Sequence, residues 1–343
     1  MITSKGLNIL KVAKLSRFHI IWLLAFSSIV AIVYHFNILK FTIPWVPVSV
    51  IGTAVAFFVG FKNNQAYDRM WEARKIWGGI VNNSRTWGMQ VDAYITALFN
   101  DKIEKEEINS IKKRLIYRHI AWLYSHRNQL LVHANWEHGN PNDHIDQTAT
   151  NYQNKLGVGL VAEEAAKIKL SDYISESELE KIKLLNNKCT QIINEQSRDL
   201  SQLREGNILD DFRHYGLMKT LGQFYELQGQ NERIKAFPLP RQYANISRYF
   251  TGVFLLLLPF TLIPELMDKG ELGIWLSIPI TAMIGWVYIM MELVGEYTEN
   301  PFEGLPNDIP MLSMCRKIEI DLREMLLETD LPGPIIAKRN ILM

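Results

Sequence analysis

The chain has 343 residues, with 37 Lys and Arg against 36 Asp and Glu and a formal net charge of +1. That balance concentrates no basic face, so nucleic acid is not an expected partner, and two cysteines, Cys189 and Cys315, are too few for a disulfide framework. The mean hydropathy of −0.03 is that of a water-soluble protein, but the average conceals a strong segregation of charge.

Four stretches contain no Asp, Glu, Lys or Arg: Phe18 to Leu39, Phe41 to Phe61, Tyr249 to Pro264 and Leu272 to Met291. A helix needs about 20 apolar residues to cross roughly 30 Å of hydrocarbon. The first, second and fourth stretches meet that length, and Arg248 at the edge of the third can snorkel and lengthen it. Core helices of a soluble protein are the competing explanation. Four runs in two close pairs, with Trp22, Trp45, Trp275 and Tyr249 near their ends as an aromatic belt, favour membrane spans. The first run is also too long for a cleavable signal peptide.

The expected fold class is therefore an all-α membrane protein with four transmembrane helices and a large helical domain. Residues 1–61 hold the N-terminal segment and a first hairpin, with spans at 18–39 and 41–61. Residues 62–247 form the helical domain, 248–293 a second hairpin with spans at 248–267 and 272–292, and 294–343 a C-terminal segment. Lys5, Lys11, Lys14 and Arg17 precede the first span, and Lys62, Arg69, Arg74 and Lys75 follow the second. The loop between the last two spans carries Glu265, Asp268 and Glu271 against Lys269. The positive-inside rule then puts both termini and the large domain in the cytoplasm of a multi-pass protein of the plasma (inner) membrane.

The 62–247 block reads as helical throughout. Tyr67, Met70, Trp71, Arg74, Trp77 and Val81 recur at helical spacings, so the second span is expected to continue out of the bilayer to about Val91. A second helix fits Lys105 to His133, with Ile108, Ile111, Leu115, Ile116, His119, Trp122 and Leu123 on one face. The polar, turn-rich stretch from Trp136 to Asn154 reads as a loop. Helix resumes near Ala162, and Ser175 with Glu178 has capping-box spacing ahead of an amphipathic run from Ile182 to Leu200.

No phosphate loop, dinucleotide fingerprint, His-Glu-x-x-His or nucleophile elbow is present. The eight histidines are scattered without zinc spacing, so no metal, cofactor or catalytic residue is expected. In the second span Thr53, Phe57 and Phe61 share one helix face. Ordinary helix packing explains such a stripe, but the abrupt change at Lys62, Asn63, Asn64 and Gln65 also suits an apolar constriction opening into a wet vestibule.

The run from Gly60 to Gly78, with Asn63, Asn64, Tyr67, Asp68, Arg69, Trp71, Glu72 and Arg74, resembles the signature of bacterial bestrophin homologues. Glu232-Arg233-Ile234 with Pro238-Leu239-Pro240, and Glu299 with Asn300, Pro301 and Phe302, extend the likeness over nearly the whole chain. The resemblance implies a homopentamer around one axial pore, passing inorganic ions through the lipid bilayer, most simply chloride. Thr53, Phe57 and Phe61 would be its neck, and Ile208 its cytosolic constriction. Animal members bind calcium after the Asn-Pro-Phe motif. Here Glu303 and Asp308 are the only carboxylates of that stretch, too few for the six to eight oxygens calcium takes, so calcium-independent opening is expected. A cation (sodium) channel of the same fold, a secondary transporter and a membrane-tethered signalling scaffold are the alternatives.

Overall fold

A computed structural model describes residues 1–6, 16–38, 41–100, 102–138 and 144–343, all in helices, turns and irregular segments apart from two isolated β-bridges, Ile2 to Ile341 and Lys338 to Ile341. Of the basic residues used for orientation, Lys11 and Lys14 lie outside the described residues. The chain divides into two compact units: residues 4–69 with 238–299, and residues 1–3 with 70–237 and 300–343.

The first unit contains α1 (Arg17–His35), the first half of α2 (Trp45–Tyr94), α9 (Arg241–Met267) and α10 (Glu271–Glu296). These four helices are long and apolar enough to cross a membrane. Leu23, Val55, Val59, Leu255, Leu258 and Ile289 share its interior, while Ile21, Ile29 and Met283 are about three-fifths exposed, an outward apolar surface suited to lipid. Small residues bring the helices close. A Cβ on Gly52 would meet the Phe254 ring at 2.6 Å, and one on Gly285 would meet Leu23 at 2.9 Å. Pro264 lies inside α9 and cannot donate to the Phe260 carbonyl one turn earlier. The backbone N–H of Ile43 donates to that carbonyl at 3.4 Å instead, which satisfies a group that lipid cannot.

The second unit is built on the later turns of α2, then α3 (Lys105–Leu130), α4 (His144–Leu156), α5 (Ala162–Ala166), α6 (Glu176–Lys183), α7 (Lys188–Glu205), α8 (Asp211–Ala236) and α11 (Met311–Met325). Its interior includes Trp77, Trp87, Leu115, Trp122, Phe224 and Ile318. Ser175 accepts from the Glu178 N–H and so caps α6 as its spacing predicts. The amphipathic run from Ile182 to Leu200 is interrupted, however, because Asn187 accepts from the Thr190 N–H and starts a new helix. The stretch read as a loop holds α4, whose polar composition hides a short helix with Ala149 buried. The C-terminal segment is part of this unit: Phe302, Ile309, Leu312, Cys315 and Leu322 enter the same core.

His119 and His126 alternate with tryptophans in that core. The His126 ring stacks on Trp122 at 5.5 Å, and His119 on the other side of Trp122 at 5.3 Å. Burial holds both imidazoles down to about 3, far below the ordinary value, so they are neutral. Ser84 and Asn231 are their hydrogen-bond partners, and Nδ1 of His126 is buried without one.

Candidate functional site

Along α2 burial alternates with the helical period. Val48, Gly52, Val55, Val59, Lys62 and Ala66 are buried, and Val46, Val50, Thr53, Phe57, Phe61, Asn64 and Asp68 are exposed. Phe57 and Phe61 are 65% and 58% exposed within an apolar span. Phe58, beside them, does what packing requires: its ring stacks on Tyr243 at 4.9 Å and meets Phe250 edge-on at 6.0 Å. Packing inside the chain therefore uses Phe58 and leaves Phe57 and Phe61 outward. Thr53 shares their face, and its hydroxyl donates to the Ser49 carbonyl at 2.9 Å. The hydroxyl is tied to its own helix, which lessens the polarity of that outermost position.

Just past Phe61 the structure departs from a simple switch to wet, polar residues. The Lys62 side chain has no exposed surface. Its ammonium donates to Glu292 at 2.5 Å, to Glu296 at 3.3 Å and to the Ala244 carbonyl at 3.3 Å. Glu292 also accepts from Ser247 at 2.8 Å, and Glu296 pairs with Arg248 at 2.8 Å. Among the described residues two cations and two carboxylates thus form a charge-balanced cluster that joins α2, α9 and α10. Asn63 adds a bond to the Met291 carbonyl at 2.9 Å, and a Cβ on Gly295 would meet its side-chain oxygen at 2.1 Å. The sequence signal was the phase of Lys62, seven residues after Val55 and therefore on the buried face, opposite two acids one turn apart.

The remaining motif residues divide by role. Asn64, Tyr67, Asp68, Trp71 and Arg74 are exposed. Glu72 pairs with Arg233 at 2.5 Å. Asn300 donates to Glu303 at 2.9 Å, and Pro301 and Phe302 are buried. Arg69 is half-buried at the end of the first segment of its unit.

Of the two carboxylates of the calcium question, Glu303 is engaged through both oxygens and Asp308 through one, its Oδ1 being buried without a hydrogen-bond partner. Glu303 accepts from the His138 N–H at 3.0 Å as well as from Asn300, and its other oxygen meets the His138 ring at 2.7 Å. One Asp308 oxygen accepts from the N–H groups of Gly304 and Leu305 at 2.7 and 3.0 Å. Burial, and then the nearby Glu303, push the Asp308 carboxyl up to about 8, so at neutral pH it is mostly protonated and a poor cation ligand. Among the described residues no group of three or more His, Cys, Asp or Glu is arranged to hold a metal.

Ile208, which the resemblance places at the cytosolic constriction, is nearly buried within the single chain. Its side chain is only 8% exposed and lies in the domain core with Leu203 and Leu209. Asn207, at φ 55°, turns the chain inward after α7, and the Ile208 N–H closes on the Leu203 carbonyl at 2.9 Å. The outward apolar side chain of this corner is Phe212, 89% exposed, at the start of α8 where Asp210 caps the helix.

Comparison with known proteins agrees with this architecture. Residues 11–324 match the family described as bacterial/fungal bestrophin protein. The voltage-dependent anion channel-forming protein YneE of Escherichia coli (strain K12) is 25% identical over 302 residues, covering 88% of this chain and 83% of that protein. A voltage-dependent anion channel-forming protein of Ralstonia nicotianae is 26% identical over 318 residues, covering 92% and 89%. The crystal structure of a bacterial bestrophin homologue from Klebsiella pneumoniae superposes with a TM-score of 0.72 at 22% identity, over 91% of this chain and 98% of that one. A match spanning nearly the whole sequence, on a fold with four membrane-length helices, leads to one conclusion: the chain belongs to the bestrophin family of ion channels, in its bacterial and fungal branch.

Proposed function

We propose that the chain is the subunit of a homopentameric anion channel of the plasma (inner) membrane, most simply a chloride channel, with no catalytic step. The observation that carries this reading is the outward stripe of Thr53, Phe57 and Phe61 on α2, which runs on directly into the exposed polar Asn64 and Asp68 while the opposite side of the helix is packed. One such helix cannot enclose water, so several copies must surround a pore, as a closed cyclic ring does. The names of the relatives supply the sign of the ion. Ions cross by diffusion along the axis, and the aromatic rings gate by controlling whether the neck is wetted. Ile208, at the turn between α7 and α8, is the residue proposed for a second, cytosolic constriction. The engagement of Glu303 and Asp308 supports opening without calcium.

Planar-bilayer recording tests the reading. Discrete current steps, a reversal potential that follows the chloride gradient, and no change on adding a chelator are expected. Smooth, step-free uptake would turn the assignment towards a transporter, and a silent protein towards a scaffold. A cation channel is the second reading, favoured by Asp68, the first ionised side chain on the exposed stripe inward of Phe61. In an anion channel a ring of these carboxylates repels the permeant ion, so Asp68→Asn should raise chloride conductance. The gain should fade with salt as the screening length falls from about 30 Å at 0.01 M to about 10 Å at 0.1 M. A reversal potential that follows sodium, and shifts in Asp68→Asn, would make this a cation channel.

Orientation rests on Arg17 and the basic run after the second span. In a cysteine-free background Lys269→Cys should react with an impermeant thiol reagent added outside, and Lys112→Cys should not. The reverse pattern would invert the topology.

A further inference from the structure

We propose that Lys62 is a positioning residue for the neck, a buried ionic clamp that fixes the rotation of α2 about its own axis. The inference rests on the neck reading and adds to it the element that holds the neck shut. Phe61 and Lys62 are consecutive, so their side chains point about 100° apart on one helix. Phe61 is exposed and Lys62 fully buried. Any turn of α2 that moved the phenylalanines off their face would have to pull the ammonium away from Glu292, Glu296 and the Ala244 carbonyl together.

Three features separate this cluster from an ordinary surface ion pair. Its central cation has no exposed surface, and Glu292 is 7% exposed. Its members come from α2, α9 and α10, so it fixes one helix against two others. One Glu292 oxygen is buried with no hydrogen-bond partner, a group held in place at some expense in desolvation, as a positional device can require and packing alone does not. Ionised groups at the border of a membrane span are costly enough that a role is the default expectation. Because the cluster is neutral as a whole, its effect on ions in the pore is small, and its effect on helix position is the one to measure.

The test compares Lys62→Met, Glu292→Gln, the exchange of Lys62→Glu with Glu292→Lys, Phe57→Ala, and Lys62→Met combined with Phe57→Ala. Each is purified as the full chain, sized in detergent, and recorded in planar bilayers. Lys62→Met should form the wild-type oligomer and raise open probability about tenfold or more, with single-step conductance and reversal potential unchanged. The exchange should restore part of the wild-type gating, and adding Lys62→Met to Phe57→Ala should give no further rise. If Lys62→Met does not assemble, the isosteric Glu292→Gln carries the same expectations. A correctly sized Lys62→Met or Glu292→Gln channel that gates as wild type, while Phe57→Ala opens readily, overturns the clamp and leaves the neck standing. Wild-type gating in Phe57→Ala would instead remove the neck on which the clamp acts.

Discussion

Replacing Phe57 by alanine should raise open probability, and the double change with Phe61→Ala should raise it further, while the oligomer keeps its size. If the two side chains face the axis, each contributes a ring of aromatic groups, and the rings lie about 6 Å apart because four residues at about 1.5 Å separate them. Two stacked apolar rings exclude water from a narrow passage, and truncation widens it and lowers the barrier to wetting. Among the described residues Phe57 and Phe61 have no packing partner comparable to the Tyr243 and Phe250 rings that hold Phe58. The competing possibility is that neighbouring copies supply one. In that case each truncation leaves a cavity at the subunit interface costing about 3–5 kcal/mol. Yield and assembly then fall before any conductance rises. Size-exclusion profiles and recordings from the same preparations distinguish the two, and a stable variant with wild-type gating would refute the neck.

Glu319→Ala should destabilise the helical domain severely. The carboxylate is 1% exposed and accepts from Tyr124 at 2.5 Å and Tyr173 at 2.8 Å. Arg316 and Arg323 lie on it at 3.1 and 3.4 Å. One acid on α11 thus holds two guanidinium groups of its own helix and two phenols from other elements. Its removal leaves buried donors unmatched and two cations close together, a change that typically costs about 3–5 kcal/mol. Glu319→Gln keeps an acceptor and should lose less, since Arg323 retains Glu328 at 2.7 Å. Thermal unfolding of the detergent-purified proteins, followed by tryptophan fluorescence, should rank wild type above Glu319→Gln above Glu319→Ala. Equal melting temperatures would mean that the domain relaxes enough to hydrate the arginines.

The helices themselves were largely legible from local pattern. Charge-free runs located the four membrane-length helices, because lipid excludes ions whatever the tertiary arrangement. The period of Trp77, Val81 and their neighbours extended the second apolar run into a longer helix, and the structure has one helix from Trp45 to Tyr94. Ser175 announced its own cap, since capping needs only residues three apart. Phase within a helix is local too, so Thr53, Phe57 and Phe61 could be placed on one face. Which way that face points is decided by the partners of the opposite side, and those are distant in sequence. Lys62 looked like a solvated flanking charge. Only the fold brings Glu292 and Glu296, more than 200 residues away, against it. Ile208 was singled out only through the family resemblance, and only the fold shows the left-handed Asn207 setting its side chain against the core. The C-terminal residues looked like a separate segment, yet Phe302, Leu312 and Cys315 fill the same interior as Leu115 and Trp122. Apart from α4 and the break at Asn187, the sequence by itself determined where helices form and which residues share a face, because hydrogen bonding and helical period act over a few residues. Only the tertiary structure decided which charges are buried and which apolar side chains stay outward, because burial depends on surfaces contributed by remote parts of the chain.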